Sequence, residues 1–194
     1  SSAASDVYKR QDLKQLKPID ILYGTQTGNA EQVAQDASTL AISHGFEPRV
    51  LELDSVTMDQ LQSMQTVIII VATYGEGEMP DNADLFWAAL SSSSAPRLSN
   101  MRYGVLALGD TSYEHFCQAG KFIDTRLEQL GADRMIARID CDYDFEDPSS
   151  EWLSKTLPLA KGEDSQVFGS EIVTKESKSS KPIWNRKDPY DANV

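Results

Sequence analysis

Ile21-Leu22-Tyr23-Gly24-Thr25-Gln26-Thr27-Gly28-Asn29-Ala30-Glu31 passes from an apolar run, through a hydroxyl- and glycine-rich loop, into a helical pattern. The run over 19–23 predicts a strand. Val33, Ala37, Leu40 and Ala41 recur at helical spacing and predict a helix over 28–44, stopped by Gly45. A strand feeding a helix through a short loop opens an α/β sheet. The loop carries no positive charge. It lacks the lysine of G-x-x-x-x-G-K-S/T, which excludes a nucleoside triphosphatase loop, and it does not read G-x-G-x-x-G, which disfavours dinucleotide binding. Free N–H groups at a helix start attract an anion. Thr25, Thr27 and Asn29 add neutral donors, and Gly28 permits close backbone approach. Such a set suits a phosphate monoester. On its own, the same loop is equally a well-capped helix start, since Thr and Asn are ordinary caps.

The alternation continues along the chain. Residues 49–53, 66–73, 103–108 and 135–139 predict strands two to five. Residues 57–64, 82–91, 114–130 and 149–159 predict helices, the last with Trp152 on its apolar face. The near-continuous apolar third run marks a parallel strand buried on both faces. Five strands alternating with five helices, and a phosphate loop after the first strand, predict a doubly wound parallel sheet of flavodoxin-like order 2-1-3-4-5. The domain is placed at 18–160, with an N-terminal extension over 1–17. Over 161–194 polar residues dominate, then Pro182-Ile183-Trp184 and Pro189-Tyr190 follow; this reads as a linker and the truncated start of another domain.

Ligands of open α/β sheets bind outside the carboxyl ends of the strands. Two further loops lie there. One is Thr73-Tyr74-Gly75-Glu76-Gly77-Glu78-Met79-Pro80; the other is Leu108-Gly109-Asp110-Thr111-Ser112-Tyr113. Each holds one tyrosine among small and acidic residues. Aromatic rings stack on flat ligands. A phosphate loop with two tyrosines at matching strand ends specifies FMN, with the rings over the two faces of the isoalloxazine. Gly75 and Gly77 let a peptide plane turn over without steric cost, which matters beside a ring nitrogen that takes up a proton.

Composition bounds the partners. Thirty acidic residues against 18 Lys and Arg give a net charge of −12 over 194 residues. Nucleic acid and anionic membrane surfaces are therefore disfavoured, and a basic protein partner is favoured. The windows 74–84, 109–116 and 140–148 hold Glu76, Glu78, Asp81, Asp84, Asp110, Glu114, Asp140, Asp142, Asp144, Glu146 and Asp147 and no Lys or Arg. That segregation suggests a docking rim. No apolar stretch reaches the roughly 18 residues of a membrane span. The first twenty residues have no signal-peptide core. Cys117 and Cys141 show neither disulfide nor zinc spacing, so a cytoplasmic setting is expected and no metal is assigned. His44 and His115 have no ligand-like neighbours, and Ser112 has no triad partner.

The first loop together with Ala72-Thr73-Tyr74-Gly75-Glu76-Gly77-Glu78-Met79-Pro80-Asp81-Asn82 resembles the FMN domain of diflavin reductases, the family of microsomal NADPH–cytochrome reductases and nitric oxide synthases. Leu108-Gly109-Asp110-Thr111-Ser112-Tyr113-Glu114-His115-Phe116-Cys117-Gln118-Ala119-Gly120-Lys121 and Ser150-Glu151-Trp152 are most similar to the flavoprotein alpha subunits of bacterial NADPH-dependent assimilatory sulfite reductases. The resemblance implies that Thr25, Gln26, Thr27, Gly28, Asn29 and Ala30 hold the FMN phosphate. It implies that Thr73, Tyr74, Gly75, Gly77, Leu108, Gly109, Asp110, Tyr113, Phe116, Cys117, Gln118 and Asp140 surround the ring, with no catalytic side chain beyond the flavin. It further implies FAD and NADPH sites on a C-terminal reductase domain outside this sequence, and a sirohaem subunit as electron acceptor. Two other readings stand beside it: an FMN domain serving a different haem partner, and a non-redox α/β binding module.

Overall fold

The structure is a computed structural model, and residues 16–162 are described. The expectations for the linker and for most of the N-terminal extension lie outside those residues. Strands β1 (Lys17–Gly24), β2 (Phe46–Glu52), β3 (Thr66–Ala72), β4 (Arg102–Leu108), β5 (Asp133–Arg134) and β6 (Ile139–Cys141) form one parallel sheet. Its order is β2-β1-β3-β4-β5, with β6 also on β4, as predicted but with one more strand. Helices α1 (Asn29–Ser43), α2 (Met58–Ser63), α3 (Asp84–Leu90), α4 (Gln118–Gln129) and α5 (Glu146–Lys161) connect and cover the strands.

Strand alternation divides the core. Leu22, Val67, Ile69, Val71 and Val105 face one layer with Phe86 and Ile123. Ile19, Ile21, Ile68, Ile70 and Leu106 face the other, with Val33, Ala37 and Trp152. Every residue from Val67 to Val71 is fully buried, the signature of a central parallel strand covered on both sides. The carbonyls at the end of α5 are taken by cations from the sheet. Lys17 Nζ donates to Ala160 O at 2.8 Å, and Arg102 Nη2 to Leu159 O at 3.0 Å. Lys17 therefore belongs to the first strand, not to an extension.

The predicted fifth strand over 135–139 is corrected. Between the pairs Tyr103–Arg134 and Leu106–Ile139, β4 advances three residues and the edge chain five, so two extra residues bulge out. Trp152 packs into this break. Its ring occupies the space beside Gly104, 3.0 Å from where a Cβ would stand, and its indole N–H donates to Ala137 O at 2.9 Å. The indole thus satisfies a carbonyl of the segment that leaves the ladder. The fourth helix also starts later than residue 114: turns occupy the preceding segment, and Cys117 is left-handed with φ 56°.

Candidate functional site

The first three loops and the segment after β6 meet at the carboxyl edge of the sheet, around a cleft of about 270 Å³. It is lined by Thr27, Asn29, Thr73, Gly75, Leu108, Gly109, Asp110, Tyr113, Phe116 and Cys117, all expected from sequence. Ala72, His115, Asp142, Tyr143 and Phe145 also line it and were not expected as ring-site residues. The acid–aromatic alternation Asp142-Tyr143-Asp144-Phe145 just after the last strand was the available signal.

The first loop is shaped by its neighbours. Thr25 N–H donates to Asn82 Oδ1 at 2.7 Å, and Gly28 N–H to Thr25 Oγ1 at 2.9 Å. Gln26 exchanges two hydrogen bonds with Asp81: its amide donates to the carboxylate at 3.1 Å and its Oε1 accepts the Asp81 N–H at 3.0 Å. Thr25 and Gln26 thus fix the loop and do not line the cleft. Gly28, at φ 98°, ends the loop at the start of α1, and nothing lies within 4 Å of where its Cβ would stand. No side chain caps that start, and among the described residues no acceptor takes the N–H groups of Asn29, Ala30 and Glu31. Ala30 is buried, so its donor is orphaned in the protein alone.

The second loop is closed by Tyr74, whose N–H donates to Glu78 O at 2.9 Å and whose carbonyl accepts the Glu78 N–H at 2.8 Å. Gly75 at φ 56° and Gly77 at φ 133° make this closure possible. A Cβ on Gly77 would stand 2.8 Å from the His115 Cβ and 3.3 Å from the Gln118 amide, so Gly77 and Gln118 pack the two loops together below the cleft. Tyr74 is 44% exposed and stands outside the cleft lining; Tyr113 is 49% exposed and within it. Thr73 Oγ1 accepts the Ala119 N–H at 3.1 Å and so fills the start of α4.

The third loop turns on Asp110, whose Oδ1 accepts the Ser112 N–H and hydroxyl at 2.9 and 2.6 Å. Gly109 lets Cys117 approach closely: a Cβ there would lie 2.9 Å from both the Cys117 N and Sγ. Burial pushes the Cys117 thiol up to about 12 and that of Cys141 to about 11. Cys117 is therefore a packed wall, not a nucleophile. Asp140 is drawn away from the cleft by Arg138, whose Nε donates to it at 2.8 Å. The same guanidinium pairs with buried Asp124 at 2.8 Å, which Arg134 also reaches at 2.8 Å. The carboxylate at the rim from this segment is Asp142. Hydrogen bonds donated by the Thr111 hydroxyl and N–H hold it below the usual carboxylate range.

Among the described residues no group of side chains could hold a metal ion, and no helix is long and apolar enough to cross a membrane. The donor set suits FMN. The unbonded N–H groups and open space at α1 accommodate a phosphate, and Tyr113 and Phe116 line the same cleft.

The Flavodoxin family model matches residues 21–152. The sulfite reductase [NADPH] flavoprotein alpha-component of Bacillus subtilis (strain 168) is 41% identical over 180 residues, covering 92% of this chain and 29% of that protein. The protein of the same name from Vibrio parahaemolyticus is 38% identical over 200 residues, covering 100% of this chain and 32% of that one. The chain thus spans about a third of the length of these relatives. Among solved structures, a mutant flavodoxin from Pseudomonas aeruginosa matches with TM-score 0.66 and 26% identity, over 74% of this chain and 99% of its own. The Streptococcus pneumonia TIGR4 flavodoxin matches with TM-score 0.64 and 27% identity, over 74% and 95%. The chain belongs to the flavodoxin family, and its cofactor is FMN.

Proposed function

We propose that this chain is the FMN electron-transfer module of an NADPH-dependent sulfite reductase flavoprotein. In this reading it is cytoplasmic. It accepts electrons from an FAD- and NADPH-binding domain of the same polypeptide and passes them singly to a sirohaem subunit that reduces sulfite to sulfide. The relatives' names, which give a sulfite reductase, NADPH and a flavoprotein alpha-component, support this reading. The observation that carries the site is the open start of α1 beside an aromatic-walled cleft.

Bound FMN supplies a ring that exchanges electrons with the partners. This chain's residues bind and orient it. The N–H groups of Asn29, Ala30 and Glu31, with the Thr27 hydroxyl, hold the phosphate, and the helix dipole adds to them. Tyr113 covers one ring face. Tyr74, on the neighbouring loop, would meet the ring from the cleft margin. Gly75, at φ 56° and in the cleft lining, would let its peptide adjust beside the bound ring. Leu108 and Phe116, in the cleft lining, would shield the bound ring from water. The acidic rim of Glu76, Glu78 and Asp144 steers a basic partner, an effect screened over about 8 Å at physiological ionic strength.

The test is reconstitution. The isolated chain should carry one FMN, oxidise no NADPH by itself, and reduce the sirohaem subunit once the FAD domain is added. Bound FAD, or rapid NADPH oxidation by the chain alone, overturns the proposal. Reduction of other haem proteins but not of the sirohaem subunit would transfer the module to a different partner.

A further inference from the structure

The third loop and the segment after β6 reach the cleft from different strands, and one carboxylate joins them. Asp142 Oδ1 accepts the Thr111 N–H at 3.0 Å and the Tyr143 N–H at 2.7 Å. Its Oδ2 accepts the Thr111 hydroxyl at 2.6 Å. Among the described residues, the two bonds to Thr111 are the only side-chain hydrogen bonds between residues 110–116 and 142–145. The other bonds of the third loop's tip are internal: Ser112 to the Asp110 carboxylate, and Tyr113 N–H to Asp110 O at 3.1 Å. They shape the tip without fixing where it sits. Its base is fixed, since Gly109 N–H donates to Cys141 O at 2.9 Å. Burial does not place the rim either, because Tyr113 is 49% and Tyr143 81% exposed.

We infer that Asp142 is a positioning residue: its carboxylate latches the third loop to the segment after β6, sets the gap between Tyr113 and Tyr143, and so sets how fast FMN leaves. The inference rests on reading this cleft as the FMN site. The bonding pattern makes an unusual prediction for the conservative variant. Both backbone N–H groups fall on Oδ1 and only the hydroxyl on Oδ2. Asparagine can keep all three contacts, its Oδ1 accepting both N–H groups and its amide donating to the Thr111 oxygen. Charge is not required; geometry is.

The experiment measures FMN release from the reloaded protein by recovery of flavin fluorescence, together with amide exchange at Thr111 in the apoprotein. Asp142→Ala should release FMN on the order of tenfold faster and deprotect the Thr111 amide, the scale of hydrogen bonds lost from one group. Thr111→Val keeps the backbone contact and should give roughly a threefold change. Asp142→Asn should match the parent in both readouts. Release from Asp142→Ala at the parental rate overturns the inference. So does an Asp142→Asn variant as fast as Asp142→Ala, which would make charge the cause. If Asp142→Ala does not fold, the other two variants decide: an unchanged Thr111→Val beside a fast Asp142→Asn contradicts the latch. A parent protein that binds no FMN would overturn both the site and the latch. A parent that binds FMN with a flat series overturns the latch alone.

Discussion

Helices α1, α2 and α4 begin in different ways, and the difference locates the function. Helix α2 caps itself: Thr57 Oγ1 accepts the Gln60 N–H at 3.2 Å, and Gln60 Oε1 accepts the Thr57 N–H at 2.9 Å. Helix α4 is filled from outside by Thr73. Helix α1 is left open, its cap a left-handed glycine with no side chain. Among these three, the start of α1 is the one that no other part of the described residues fills, and the proposed phosphate would fill it. The buried Ala30 donor costs stability until an acceptor reaches it.

The largest expected effect comes from closing the open start. Asn29→Asp is isosteric and places a carboxylate in the first turn of α1. The charge should stabilise the apoprotein by about 0.3–1 kcal/mol through the helix dipole. It should weaken FMN binding by about 2–4 kcal/mol through repulsion of the phosphate. Opposite signs in thermal melting and FMN titration are the expected pair; a loss or a gain in both would remove the distinction between α1 and the self-capped helix.

Ring stacking comes next. Tyr113→Ala should cost roughly 1–3 kcal/mol of FMN affinity, as aromatic stacking does on nucleic-acid bases. Tyr74→Ala should cost less, because Tyr74 stands outside the cleft lining. Equal losses would mean that the second loop moves inward when the ring is bound. Thr57→Ala is the complementary change at α2. It should lower folding stability by about 1 kcal/mol and leave the FMN dissociation constant unchanged, read by urea unfolding and titration.

The smallest effect tests the filled start. A cysteine at a helix start is often activated, yet burial raises Cys117 from 9.0 to about 12. Native protein at pH 8 should therefore react with a disulfide reagent at neither cysteine, and unfolded protein at both. A raised folded-state value contributes stability that is complete below the unfolded thiol's pKa near 9 and declines as pH climbs toward 11 and 12. Rapid labelling of Cys117 in the native state would show that α4's dipole outweighs burial.

Much of this was readable in the chain because local pattern and tertiary role agree. The 67–71 run is buried on both faces, as its continuity predicts, and the Thr25–Ala30 loop lies between strand and helix as its glycine and hydroxyls suggest. The differences fall where a particular side-chain partner overrides the pattern. Trp152 packs into the break in the predicted fifth strand and donates to the Ala137 carbonyl. The Gln26 side chain, which reads as a phosphate donor, is bonded to Asp81. Asp140 and Asp142 are indistinguishable in an acidic run; only the position of Arg138 shows that the first is drawn inward and the second is left at the rim. The Trp152 and Gln26 contacts span 15 and 55 residues and lie beyond local spacing, whereas Arg138 stands only two residues before Asp140.

The central claim is that the open start of α1 holds the FMN phosphate. The direct measurement compares apoprotein affinities for FMN and for riboflavin, which carries the same ring without the phosphate. FMN should bind on the order of a hundredfold tighter or more, as charge-assisted hydrogen bonds to several N–H groups imply, and Asn29→Asp should erase most of that advantage. Equal affinity of the parent protein for the two flavins would contradict the account.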